Sequence, residues 1–270
     1  MDVSTADRRA RFRELHEREQ LFVMPNPWDL GSAKLLASLG FEALATTSAG
    51  SAWSLGKLDQ QVTRDELVAH VAALASATPL PLNVDSERCY PDDPGGVAET
   101  VSQLAEAGAA GFSIEDYDPG ADRIDDADAA TERVAIAVVA AHGRPDPLVV
   151  TARAENHIHG VDDFDDTLAR LVAYRDAGAD AVYAPGLRDL ERIATLVETV
   201  GIPVNVLALR GVPTVSELGS VGVRRVSTGG GLAAAAYAAL IAGARELQDE
   251  GATSYAGGAA LDETFRTAFG

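Results

Sequence analysis

Four times along the chain a helix-like stretch ends on a glycine and passes at once into an apolar run. These joints are Gly40-Phe41-Glu42-Ala43-Leu44, Gly108-Ala109-Ala110-Gly111-Phe112, Gly178-Ala179-Asp180-Ala181-Val182 and Gly222-Val223-Arg224-Arg225-Val226. A glycine there ends a helix in a left-handed cap, and a strand directly after it is the joint of a repeating strand–helix unit. The apolar runs are Leu21–Met24, Ala43–Thr47, Leu80–Val84, Gly111–Ile114, Leu148–Ala152, Ala181–Ala184, Pro203–Leu207 and Arg225–Ser227. Lacking polar alternation, they read as parallel strands covered on both faces. Between them lie stretches with helical spacing, such as Leu67, Val71 and Leu74, or Val97, Val101 and Leu104. Thr63 with Glu66 forms a capping-box pattern, and Asp93 before Pro94 marks another helix start. Eight runs in 270 residues, with no proline- or serine-rich linker, predict a single-domain α/β fold, a TIM-type (β/α)8 barrel. Residues 1–20 read as a helical lead-in and 21–270 as the barrel with a C-terminal helical extension. An open doubly wound sheet is the alternative, but no Gly-x-Gly-x-x-Gly follows the first run.

Charge and cysteine usage remove several function classes. With 41 acidic and 22 basic side chains the formal net charge is −19, which repels nucleic-acid backbones and anionic lipid. The single cysteine, Cys89, excludes an intrachain disulfide and a multi-cysteine metal cluster. The polar start has no apolar signal core, and no run approaches the ~20 residues that span a bilayer, so the expected location is cytoplasmic. Only Lys34 and Lys57 are lysines, so a Schiff-base mechanism has two candidates.

In a barrel of this type the chemistry sits where strands give way to the following loops. Those positions include Asn26, Thr47-Ser48, Asp85-Ser86-Glu87, Glu115-Asp116, Arg153-Ala154-Glu155, Asn205 and Thr228-Gly229. Asp85 and Glu87 are two apart, so an extended chain would put both carboxylates on one side, with Glu115 on the next strand able to join them. Three acids in reach of each other repel unless a cation lies between them, and all-oxygen donors suit Mg2+ or Mn2+ rather than zinc. Arg153 closes a buried run; it reads either as a bidentate clamp for a substrate carboxylate or as an ion pair with Glu155 or Asp180. His157 and His159 make a weak metal pattern, better read as solvated or hydrogen-bonded side chains. Gly229-Gly230-Gly231 reads equally as an anion grip or as a tight turn before the alanine-rich helix.

Five motifs in strand register carry a resemblance. Pro25-Asn26-Pro27-Trp28-Asp29, Thr46-Thr47-Ser48-Ala49-Gly50 with Leu55-Gly56-Lys57-Leu58-Asp59, Asp85-Ser86-Glu87, Ile114-Glu115-Asp116 and Ala152-Arg153-Ala154-Glu155 occur in this order. Together they resemble the isocitrate lyase and phosphoenolpyruvate mutase superfamily, in particular its short phosphonomutase-like branch. The resemblance implies an (α/β)8 barrel whose last helix packs on a neighbouring subunit, in a homodimer or homotetramer. It implies Mg2+ held by Asp85, Glu87 and Glu115, partly through water, with Asp59 close by as a catalytic candidate beside Arg153. It also implies that Thr47, Ser48 and Ala49 hold a substrate carboxylate, together with Arg153. Members make or break C–C or P–C bonds next to a 2-oxo or 2-hydroxy acid through an enolate.

The sequence departs from that pattern at the lid. Isocitrate-cleaving relatives carry Lys-Lys/Arg-Cys-Gly-His after the third acidic cluster, where this chain reads Tyr117-Asp118-Pro119-Gly120-Ala121-Asp122-Arg123. The usual Gly-Tyr-Gly after the metal acids is Cys89-Tyr90-Pro91. Cleaving a 2-hydroxy acid needs a base for its hydroxyl proton, whereas decarboxylating a 2-oxo diacid does not. The expected function is therefore a Mg2+-dependent C–C lyase on a small 2-oxo or 2-hydroxy dicarboxylate, oxaloacetate-type decarboxylation being favoured. A P–C bond enzyme and a metabolite-binding barrel without turnover are the alternatives.

Overall fold

The computed structural model describes residues 3–257 and 261–270. Ten strands occur in it: β1 Phe22–Met24, β2 Leu44–Ala45, β3 Leu82–Asp85, β4 Gly111–Glu115, β5 Tyr117–Asp118, β6 Arg123–Ile124, β7 Val149–Arg153, β8 Ala181–Tyr183, β9 Val204–Leu207 and β10 Arg225–Ser227. Eight form one parallel sheet in the order β1-β10-β9-β8-β7-β4-β3-β2, each following its expected run, with helices between them. The sheet curls into a nearly closed TIM-type barrel. At the β1/β2 seam Ala45 N–H donates to Pro25 O at 3.1 Å and Asn26 Nδ2 donates to Thr46 O at 2.6 Å. Pro25 has no N–H to return, which limits backbone pairing there.

The four glycine joints are built as their sequence implies. Gly40, Gly108, Gly178 and Gly222 have φ of 86°, 98°, 101° and 89°, a region open to glycine at little cost. Thr63 and Glu66 form both bonds of their capping box at the start of the helix Arg64–Ala77. The next helix begins later than Asp93-Pro94 suggests, at Gly96 with Gly95 as its cap. Asp93 O accepts from Gly96 N–H at 2.8 Å, so the chain closes one turn before the helix can start.

Two apolar cores result. The larger lies between the outward strand faces, with Val84, Phe112, Val150, Val182 and Val226, and the surrounding helices. The smaller joins Phe22, Met24, Ala43, Ala45, Ala110 and Val149 to Phe12 and Leu15 of the N-terminal helix Thr5–Glu17, which plugs the barrel floor. A Cβ on Gly111 would lie 2.7 Å from Phe12 Cε1, so the plug's fit requires glycine there. The strands are buried on both faces, as expected, yet alternate positions carry polar groups: Asn83 and Asp85, Ser113 and Glu115, Thr151 and Arg153.

The antiparallel hairpin β5–β6 was not expected; it occupies the segment read as a lid. Of the long helix Gly231–Glu250 only Ala233 and Gly243 are buried, while Leu240, Ile241 and Leu247 are half exposed or more. Among the described residues, no helix is long and apolar enough to cross a membrane.

Candidate active site

A cavity of about 160 Å³ lies at the C-terminal strand ends, lined among others by Thr47, Ser48, Ala49, Asp59, Asp85 and Arg153. Those six are all sequence candidates. Thr47 caps the short helix Ser48–Ser54 and accepts Gly50 N–H at 3.3 Å, which leaves the backbone of Ser48 and Ala49 at the cavity wall. Ser48 N–H donates to Asp85 Oδ2 at 3.1 Å. Asn26, at the end of β1, accepts from Thr228 and Gly229 N–H at 2.8 and 2.9 Å, tying the first strand to the last beside the cavity.

Arg153 is the hub. Its Nη1 reaches Asp85 Oδ1 at 2.6 Å, its Nη2 Glu115 Oε2 at 3.1 Å and its Nε Glu155 Oε1 at 2.9 Å. The guanidinium also lies 5.2 Å from the Tyr183 ring centre, within cation–π range. Burial opposes its charge, but Glu155, Asp85 and Glu115 hold its pKa well above the ordinary value. Asp180 takes no part; it pairs with Arg13 and His142 at the outer end of the barrel. Of the two sequence readings of Arg153, the structure contains the ion pair with Glu155, and it places the same side chain at the wall of the cavity.

Glu87 departs from its expected place. The strand ends at Asp85, and Glu87 turns into the left-handed region at φ 50°, so it does not share a strand face with Asp85. Ser86 Oγ donates to Ser113 O at 2.6 Å and Glu115 N–H donates to Glu87 O at 2.9 Å, which pins this turn to β4. Burial, then the charges of Asp85 and Asp59, push the Glu87 carboxyl up to about 8. Burial raises Glu115 well above the carboxylate range despite Arg153, and raises Asp59, to which Asp85 adds. Glu115 also accepts from Gln60 Nε2 at 2.9 Å. The cation between Asp85 and Glu115 is Arg153, and among the described residues no three His, Cys, Asp or Glu groups surround one metal-sized point.

The two histidines do not form a pair. His157 is held by Thr167 and Asp162, while His159 stacks on Tyr117 of the hairpin with ring centres 3.6 Å apart. Lys57 is bound to Glu66 at 2.6 Å, and Lys34 lies in the helix Leu30–Ser38. Gly229 and Gly230 line the cavity just before the helix that starts at Gly231, so this stretch is both a turn and part of the wall. Sequence reasoning missed Arg225 and Tyr183, which also line the cavity. Their signal was an arginine and a tyrosine inside runs otherwise read as buried strand.

Fold and cavity together are those of a TIM barrel with a small polar cavity at its strand C-termini, where barrels of this type place their active sites. The phosphoenolpyruvate phosphomutase family matches residues 12–248, and the chain belongs to that family. A solved structure from Burkholderia cenocepacia J2315 has a TM-score of 0.92 at 48% identity, covering 97% of this chain and 95% of that one. An oxaloacetate decarboxylase of Paraburkholderia xenovorans (strain LB400) is 34% identical over 76% of this chain and 69% of its own length. A 2,3-dimethylmalate lyase, itself a PEP mutase/isocitrate lyase superfamily member, has a TM-score of 0.85 at 26% identity, covering 98% of this chain and 95% of its own. The chain is an enzyme of this lyase and mutase superfamily.

Proposed function

We propose that the chain is a Mg2+- or Mn2+-dependent C–C lyase for a small 2-oxo or 2-hydroxy dicarboxylate, with oxaloacetate-type decarboxylation as its main reaction. The observation that carries this reading is Arg153 with Asp85 at the wall of a small cavity and Glu115 buried behind them, beside a hairpin that offers Tyr117 but neither lysine nor cysteine. The 34% identity to an oxaloacetate decarboxylase supports the substrate class.

The donor set matches a hard divalent cation in chemistry but not in its present arrangement: Arg153 occupies the space between Asp85 and Glu115, and would have to give up those contacts for an ion to be held there. Asp85, Glu87, Glu115 and the nearby Asp59 offer oxygen only. Glu87 is 8% exposed, and burial with the charges of Asp85 and Asp59 disfavours its ionised form, which a cation would restore. Asp85, Glu87 and Glu115 would hold the ion, in part through water. When bound, it supplies Lewis-acid withdrawal of electrons from the 2-oxo acid. Arg153 orients the carboxylate that the product keeps, a bidentate task for a guanidinium. The Ala49 backbone N–H, with Ser48 N–H once Asp85 turns from it to the ion, would hold the same end of the substrate beside Thr47. Neither lysine reaches the cavity wall, so carbonyl activation through a Schiff base has no donor.

The test is one panel: oxaloacetate, methylisocitrate and phosphonopyruvate, assayed for pyruvate or phosphate release with Mg2+ and after chelation. Oxaloacetate should turn over fastest, and chelation should abolish the rate. Faster methylisocitrate cleavage would reveal a hydroxyl base outside the hairpin. Faster phosphonopyruvate turnover would move the chain to the P–C enzymes, the reading that the family match also supports.

A further inference from the structure

The cavity holds a second guanidinium that no acid answers. Arg225, on β10, is 2% exposed and lines the same cavity as Arg153. Its Nε donates to Asn205 Oδ1 at 2.9 Å and its Nη2 to Thr151 Oγ1 at 3.0 Å, while Nη1 lies 2.9 Å from His16 Nε2. His16 Nδ1 donates to Phe12 O at 2.7 Å, so its Nε2 carries the lone pair that accepts from Arg225. All three partners are neutral. They use three of the five N–H bonds of a guanidinium.

The electrostatics show the same imbalance. Burial pulls the Arg225 pKa down to about 10, and the only group acting against it is the Tyr183 phenol, itself neutral at ordinary pH. His16 is held neutral below it, its pKa lowered to about 3 by burial and by Arg225. A buried charge without a counter-charge is expensive unless a partner arrives. Strand register links the two arginines: Arg153 pairs with Tyr183, Tyr183 with Asn205 and Asn205 with Arg225. Asn83 Oδ1, buried in the same wall, also has no partner. The polar floor of the barrel is thus built for something that the protein chain does not provide.

We propose that Arg225 is a ligand-binding residue whose unanswered charge holds the second carboxylate of a small dianionic ligand, while Arg153 meets the first. This rests on the dicarboxylate reading above and adds to it a selection by charge at the cavity floor. It also assigns the polar contacts of Arg225 a purpose: they fix the guanidinium without neutralising it.

The probes are malonate and its half-amide malonamate, alike in shape and different by one charge, measured by calorimetry on the full chain with and without Mg2+. Wild type should bind malonate at least tenfold more tightly than malonamate. Arg225→Gln should lose tenfold or more for malonate and under threefold for malonamate, and Arg225→Lys should restore most of the preference. His16→Glu keeps Arg225 but gives it an internal carboxylate; malonate affinity should fall while the thermal midpoint rises. That variant decides the matter if Arg225→Gln does not fold. Equal losses for both probes, an unchanged preference in Arg225→Gln or His16→Glu, or no malonate binding to wild type would overturn the proposal. Absence of Mg2+-dependent turnover would instead defeat the reaction reading and leave the charge preference standing.

Discussion

Position 89 carries a side chain on a backbone that suits glycine. Cys89 has φ 59°, its neighbours Tyr90 and Glu87 have 46° and 50°, and such conformations persist only where the surroundings enforce them. The enforcement is visible: the thiol is fully buried, 2.9 Å from Ser86 Oγ, and Tyr90 OH donates to Val62 O at 3.0 Å. Burial pushes the Cys89 thiol up to about 12, so it stays protonated at neutral pH and is no nucleophile. Cys89→Ser should keep most of the activity in a steady-state assay. A loss of roughly a hundredfold with the fold intact, the scale of a catalytic group, would contradict this. Residues such as Arg153, Asp85 and Glu115 were legible because each closes a buried run, where a charge must have a reason. Arg225 was not, since an arginine that opens a three-residue strand looks the same in sequence whether it points to solvent or into a barrel. The turn at Glu87 was hidden for a related reason: left-handed backbone at a non-glycine residue leaves no sequence mark.

At the scale of elements, the glycine joints carried the most information because each fixes two things, a helix end and the register of the next strand. The β5–β6 hairpin escaped because its pairs, Tyr117 with Ile124 and Asp118 with Arg123, span a Pro-Gly turn too short to show a period. The helix Gly231–Glu250 raises the opposite question. Its sequence, with Leu232, Leu240, Ile241 and six alanines up to Ala239, reads as a buried helix, yet Leu240 is 64% exposed in the single chain. Small residues allow close helix contact, and a second copy of the chain is the proposed cover, in a homodimer or homotetramer. Light scattering at micromolar concentration should give a dimer or tetramer. Leu240→Glu combined with Ile241→Glu should shift it towards monomer while far-UV circular dichroism stays unchanged. A monomeric wild type would rule the assembly out.

For the whole molecule, the N-terminal plug makes barrel stability depend on one imidazole. His16 sits between Phe12 and Phe22, with ring centres 4.6 and 5.2 Å away, and accepts from Arg225 at the floor. Its pKa is about 3 in the folded chain, against ~6.5 in an unfolded one. Between these values the unfolded state binds the extra proton, so the contribution of His16 is complete above pH ~6.5 and declines as pH falls towards 3. One proton corresponds to at most about 1.4 kcal/mol per pH unit. The buried carboxyls with raised pKa, Glu115 and Asp116, act in the opposite sense, because the folded state binds their protons first. The total curve therefore mixes both, and only a difference isolates the imidazole. His16→Gln supplies that difference, since an amide can accept from Arg225 and donate to Phe12 O while never taking a proton. Urea unfolding at pH 7.5 and pH 5 should show wild type losing roughly 2 kcal/mol more than His16→Gln across that interval. Parallel losses in the two proteins would mean that the plug tolerates a charged imidazole beside Arg225, and that the floor of the barrel is open to water.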